Sequence, residues 1–108
     1  MKDDRVRLLH MKEALERVVA YCADGKKNFF DDIKTQDAVI RNLEILGEAV
    51  KHLTPKVKRA HKDVPWKLIA GMRDRLIHHY FGVNVDLVWE TTQKEVPKLL
   101  ATVNKMIG

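Results

Sequence analysis

One cysteine, three prolines and five glycines are all that 108 residues hold of the residues that staple, break or loosen a chain. Because Cys22 stands alone, an intrachain disulfide and a cysteine-based zinc site are both excluded, and a reducing compartment is the simplest setting. Its expected place is as a small buried hydrophobe on the first helix. Aromatics are also scarce, at 6%, yet 45% of the residues are hydrophobic and 32% charged, which is a folding composition and not a disordered one. No stretch approaches the roughly 20 apolar residues of a membrane span, and the charged N-terminus "MKDDRVRLLHMKEAL" lacks the apolar run of a signal peptide. The chain reads as soluble and cytoplasmic, without a membrane partner, and as one domain over residues 1–108.

Charge is abundant but uneven. The net charge is +5, and residues 49–79 carry eight basic side chains (Lys51, Lys56, Lys58, Arg59, Lys62, Lys67, Arg73 and Arg75) against Asp63 and Asp74. That third of the chain is thus +6, and the remainder, with 12 basic and 13 acidic groups, is −1. Such a patch is expected of a surface that attracts phosphates, with Lys58, Arg59, Lys62, Lys67 and Arg75 as the candidate phosphate contacts; a solvated basic loop is the simpler alternative.

Hydrophobic spacing predicts helices throughout. Leu8, Leu15, Val18 and Cys22, with Val19 beside them, mark a first helix over about 4–23, which "ADGKKNFFDD" then breaks. Val39, Leu43, Leu46, Val50 and Leu53 mark a second over about 35–53, opened by Thr35 or an Asp before it, with Gly47 inside the stripe where a neighbouring helix would approach closely. Thr54-Pro55 and Val64-Pro65 bracket a short helical turn. A third helix covers about 65–80 and stops at Gly82. A fourth starts near Asn84 or Asp86, faces Leu87, Val88, Val96, Leu99, Val103 and Met106 inward, and is expected to kink at Pro97. The fold class is all-α, an antiparallel four-helix bundle with a short extra helix or turn between helices 2 and 3. A second stripe on helix 2 (Ala38, Ile45, Ala49, with Asn42 alongside) predicts a second packing partner, such as another subunit.

The third helix contains "GMRDRLIHHYFG", residues 71–82. At about 100° per residue, Trp66, Ile69, Leu76, Ile77 and Tyr80 all fall within about 60° of Arg73, so a guanidinium sits in the middle of an apolar face. Either a carboxylate pairs with it, Glu48, Glu44 or an acid on helix 4, or the face lines a wet, anion-binding cleft. His78 lies about 140° round and roughly 7.5 Å along the axis. The two converge only through the length of the Arg side chain, distortion of the last turn, or a two-fold axis. Adjacent His78 and His79 point about 100° apart, and His10, His52 and His61 show no ligand spacing, so no metal site and no cofactor is expected.

Arg73, four residues, His78, one residue, Tyr80 resembles the R-x4-H-x-Y signature of the HepT-like branch of the HEPN superfamily. "RNLEILGEA" at 41–49 and "PWKLIAGMRDRLIHHYFGVN" at 65–84 resemble the family's second-helix and motif-helix segments. Asp74 stands where the superfamily often has Asn, and puts an extra negative charge near any bound phosphate. The resemblance implies a helical bundle that dimerises or assembles further, so that both copies of the motif line one cleft. It implies a metal-independent endoribonuclease toxin, neutralised by a nucleotidyltransferase antitoxin that adenylates the motif tyrosine, here Tyr80. In that chemistry His78 serves as acid or base, Arg73 grips the phosphate and steadies the transition state, and Tyr80 positions the scissile group. Asp74, His79, Asn42 and Glu48 are the candidate accessory groups. The alternative is a non-catalytic HEPN module that binds nucleotides or scaffolds a nucleotidyltransferase.

Overall fold

A computed structural model of the chain describes residues 2–78 and 84–108, and among these the side chains of all but residues 2, 73 and 75–78. The described chain is helical: α1 (Lys2–Tyr21), α2 (Gly25–Asp31), α3 (Ile33–Lys51), α4 (Pro55–Ala60), α5 (Trp66–His78) and α6 (Val85–Ile107). The four long elements and the short α4 match the sequence expectation to within a few residues. The connector expected to break the chain after α1 instead forms α2, started by Gly25 at φ +93°. Seven residues cannot hold a helix alone, and α2 is held by Phe29, fully buried with its ring 5.1 Å from that of Trp89 on α6.

Local chemistry sets the helix starts. The Asp32 carboxylate accepts from the backbone N–H of Lys34 at 3.1 Å and the Thr35 hydroxyl at 2.7 Å, opening α3. Asn84 Oδ1 accepts from Leu87 N at 3.1 Å and opens α6, which runs on through Pro97 without interruption. Thr54 precedes Pro55 at the head of α4, but its side chain makes no cap bond there: its hydroxyl (2.7 Å) and its backbone N–H (2.9 Å) both donate to Asp4 on α1.

The core joins α1, α3 and α6 through Leu8, Met11, Leu15, Val18, Leu43, Val50, Val96 and Val103, among others. Two contacts fix directions. Asp4 meets Thr54 just past the end of α3, and Arg5 Nη1 donates to the Ile107 carbonyl at the end of α6, so α1 lies antiparallel to both neighbours. Cys22 is buried as expected, and burial pushes its thiol pKa up while a hydrogen bond with Thr92 partly offsets this. Two inward assignments are corrected: Val19 is 45% exposed and Leu87 58% exposed. On α1 the inward line is completed by Met11 and Ala14 instead; Leu87 stands on the rim of a groove described below.

α3 is the central element, packed on α1 along one side and α5 along another. Asn42 and Ala49 of its second stripe are buried inside the chain. α3 thus has two main intrachain partners, while Ala38 and Ile45 of the second stripe remain half-buried. Gly47 is buried in the same helix.

Asp4 gives a pH-dependent clasp. It is 2% exposed, and the Thr54 hydroxyl, then the Thr54 N–H, hold its carboxyl below its ordinary pKa of about 3.8. A pKa lowered by folding contributes stability above the unfolded value and loses it as pH falls through the folded one. Asp4→Asn is expected to cost about 1–3 kcal/mol at neutral pH. The gap between variant and wild type should narrow below about pH 4, as thermal melts across pH 3–7 would report; an unchanged gap at pH 3 would refute the clasp.

Candidate functional site

α5 begins where Pro65 ends the preceding turn, and Ile69 N bonds back to the Pro65 carbonyl at 3.1 Å. Trp66 and Ile69 are buried at 8% and 9% exposure, so the apolar face proposed from spacing is the packed one in the described part of the helix. The helical backbone continues through Arg73, Asp74 and His78. On an unbroken helix, position 73 falls on the line of positions 66 and 69, about 6 Å beyond the latter, and position 78 about 7.5 Å further. The side chains of Arg73, Arg75 and His78 lie outside the described set, as do residues His79 and Tyr80 entirely.

Asp74 is the motif residue whose surroundings are most informative. Lys51 Nζ, at the end of α3, lies 2.8 and 2.9 Å from its two carboxylate oxygens. The negative charge beside Arg73 is thereby matched by a cation supplied from another helix, and a phosphate approaching position 73 meets less repulsion than the sequence suggested. Both groups are partly exposed, so the pair contributes little to stability. In the sequence Lys51 is only one part of the basic excess. Its partner stands 23 residues away, a distance no helical spacing rule reaches.

The other candidates disperse. Asn42 is 6% exposed and its Nδ2 donates to the Ala38 carbonyl of its own helix at 2.9 Å, while its Oδ1 is buried without a partner among the described residues. Glu48 Oε1 lies 3.1 Å from His52 Nε2, and Glu44 Oε2 lies 3.4 Å from Arg41 Nη1. Among the described residues no three His, Cys, Asp or Glu side chains group closely enough to share a metal ion, and no helix is long and apolar enough to cross a membrane.

The basic segment is held at the opposite end of α5 from His78. Arg59, Lys62 and Lys67 are exposed and Lys58 is half-buried. The indole N–H of Trp66 donates to the carbonyls of His61 (2.9 Å) and Lys58 (3.2 Å), fastening α4 and the turn after it to the head of α5. This shared hydrogen bond is unreadable in sequence, because its acceptors are backbone carbonyls.

One further feature lies beside α5. A groove of about 650 Å³ opens between α5 and α6 over Leu43 and Leu46 of α3, walled by Leu68 and Met72 on one side and Leu87 and Leu99 on the other. It places a largely apolar trough along the side of α5.

Residues 11–106 match the family model described as "Ribonuclease HepT-like". The chain is 43% identical over 108 residues to a protein of Caldanaerobacter subterraneus named "Putative RNase", covering 99% of this chain and 96% of that one. It is 39% identical over 104 residues to the "Probable ribonuclease HepT" of Thermococcus cleftensis, covering 96% and 90%. A protein of Methanocaldococcus jannaschii named "Gamma-glutamylcyclotransferase and putative RNase" is 41% identical over 107 residues, 98% of this chain but only 48% of its own length. The chain thus spans about half of that relative. No solved structure matches.

Proposed function

The chain belongs to the HepT-like ribonuclease family and is a ribonuclease by that membership; we propose that it is a metal-independent endoribonuclease that acts as the toxin of a toxin–antitoxin pair in the cytoplasm. The observation that carries this reading is the family match, which spans the whole R-x4-H-x-Y segment, combined with an unbroken helix through Arg73 and His78.

RNA brings its own nucleophile. The 2′-oxygen attacks the neighbouring phosphorus, its proton passes to one histidine, the bond from phosphorus to the 5′-oxygen breaks, and that oxygen takes a proton from a second donor. The products are a 2′,3′-cyclic phosphate and a 5′-hydroxyl, and no electron or water is consumed. An unperturbed histidine titrates near pH 6.5 and suits either proton transfer at neutral pH. Arg73 grips two phosphate oxygens and balances the charge that builds on them. The offset between positions 73 and 78 favours a homodimer, in which a two-fold axis supplies two Arg73 and two His78 to one cleft. Tyr80 positions the scissile group. A nucleotidyltransferase antitoxin that adenylates Tyr80 adds bulk and negative charge to the cleft and excludes RNA.

The test is purified protein with total RNA in excess EDTA. Cleavage to fragments ending in cyclic phosphate is the expected result. Intact RNA would overturn the assignment and favour a non-catalytic module that binds nucleotides or scaffolds the nucleotidyltransferase.

A further inference from the structure

Five basic residues stand away from the motif. Lys56, Lys58 and Arg59 lie on α4, Lys62 on the following turn and Lys67 in the first turn of α5. Counting along α5, Lys67 is about 16 Å of helix axis away from His78. Among the described residues none of these five side chains is paired with a carboxylate. The acids nearest in sequence are Asp63, which is exposed, and Asp74, which Lys51 holds. Asp4, near Lys56, is buried and turned to Thr54.

α4 has no fully buried residue, and only Val57 packs against the core, so a six-residue helix needs further support. It is fastened at both ends by polar bonds. Asp4 holds Thr54 before its first residue, and the Trp66 indole holds the carbonyls of Lys58 and His61 at its last turn. Those bonds use backbone atoms and the threonine hydroxyl, leaving the charged ends of the lysines and Arg59 to solvent. Trp66 is buried and His61 half-buried, so no described Trp, Tyr or Phe offers an open stacking face among them. A cluster of cations with so little stacking surface suits a phosphate backbone better than base readout.

We propose that α4 and the turn after it form a second RNA-binding platform, separate from the Arg73–His78 site, which anchors the strand's phosphates to one side of the scissile bond. The proposal rests on the ribonuclease reading above for the identity of the polyanion. At about 3.4 Å of rise per stacked nucleotide, the 16 Å offset corresponds to about five nucleotides between anchor and cleavage point. The platform thus favours long single strands over short ones, and its contribution is electrostatic and indifferent to sequence.

Binding is measured by fluorescence anisotropy with His78→Ala protein, so that RNA stays intact, using labelled single strands of roughly twelve and three nucleotides across a salt series. Lys58, Arg59, Lys62 and Lys67 are replaced together by Gln, with the thermal midpoint checked. Four phosphate contacts on a single strand account for about 2.8 of the slope of log affinity against log salt, or roughly a fifty-fold loss between 50 and 200 mM salt. The quadruple variant is expected to lose that part of the slope for the long RNA and to bind both lengths with similar affinity. Replacing Lys26 and Lys27 of α2, which removes charge elsewhere, should leave the slope as it is. An unchanged slope in the quadruple variant, or an equal loss in the α2 variant, would overturn the platform. The outcome is independent of catalysis: a wild type that cleaves RNA but whose quadruple variant keeps the slope defeats only the platform, and a wild type that binds as described yet never cleaves defeats only the endonuclease reading.

Discussion

His78→Ala is expected to slow RNA cleavage by about 10²–10⁴-fold, the range over which a positioned acid or base acts. The loss should fall on kcat at saturating RNA, because a histidine that moves a proton in the transition state contributes little to holding the ground state. Arg73→Ala should cost a comparable factor, roughly 10²–10³-fold, as removal of a donor aimed at developing charge does elsewhere. Arg73→Lys should recover little, since an ammonium cannot make the two parallel bonds of a guanidinium. Single-turnover cleavage in EDTA, with thermal midpoints to confirm folding, separates these effects. Retention of wild-type rate by both alanine variants would sink the roles assigned to the motif. Mixing the two inactive variants offers a sharper reading: if a two-fold site draws Arg73 from one protomer and His78 from the other, heterodimers should regain part of the activity.

Phe29→Ala is expected to remove about 3–5 kcal/mol of stability, the cost of deleting a fully buried aromatic side chain. Phe29 is at 0% exposure, with Phe30 edge-on at 5.5 Å and Trp89 at 5.1 Å, and it is the one buried residue of α2. Its loss removes the hold on a helix too short to persist alone, so the cavity and the unfastening of α2 add together. For a domain of this size each kcal/mol moves the midpoint by roughly 4–8 °C, so a drop of roughly 12 °C or more should appear in a thermal melt. Phe29→Leu should lose much less. A midpoint within a few degrees of wild type for the alanine variant would show that α2 is not integral to the core.

Legibility in the sequence varied with range. The stripes on α1, α3 and α6 were plain because a helix repeats its inward face every three to four residues, and buried Leu8, Leu15, Val18, Leu43, Val50 and Val103 follow that repeat. Where the repeat has too few turns to register, it failed: α2 offers one buried residue in seven. The exposed position of Leu87 could not be foreseen either, since an apolar residue at the start of α6 looks the same whether it meets a core or the rim of an open groove. In the motif segment, the residue types and their spacing were legible down to the apolar line through Trp66 and Ile69. What faces that line was not.

The sequence by itself determined the helical class, the neighbourhood of the caps that open α3 and α6, the concentration of positive charge, and the R-x4-H-x-Y segment that carries the family. All of these are encoded in residues within a few turns of one another. Only the tertiary structure decided that α3 finds two main partners inside the chain, that Lys51 takes up the charge of Asp74, and that Trp66 and Asp4 fasten a basic helix at the far end of α5 from His78. Each of these joins residues 5 to 50 positions apart through side chains whose meeting depends on how whole helices cross, and no local pattern records that angle.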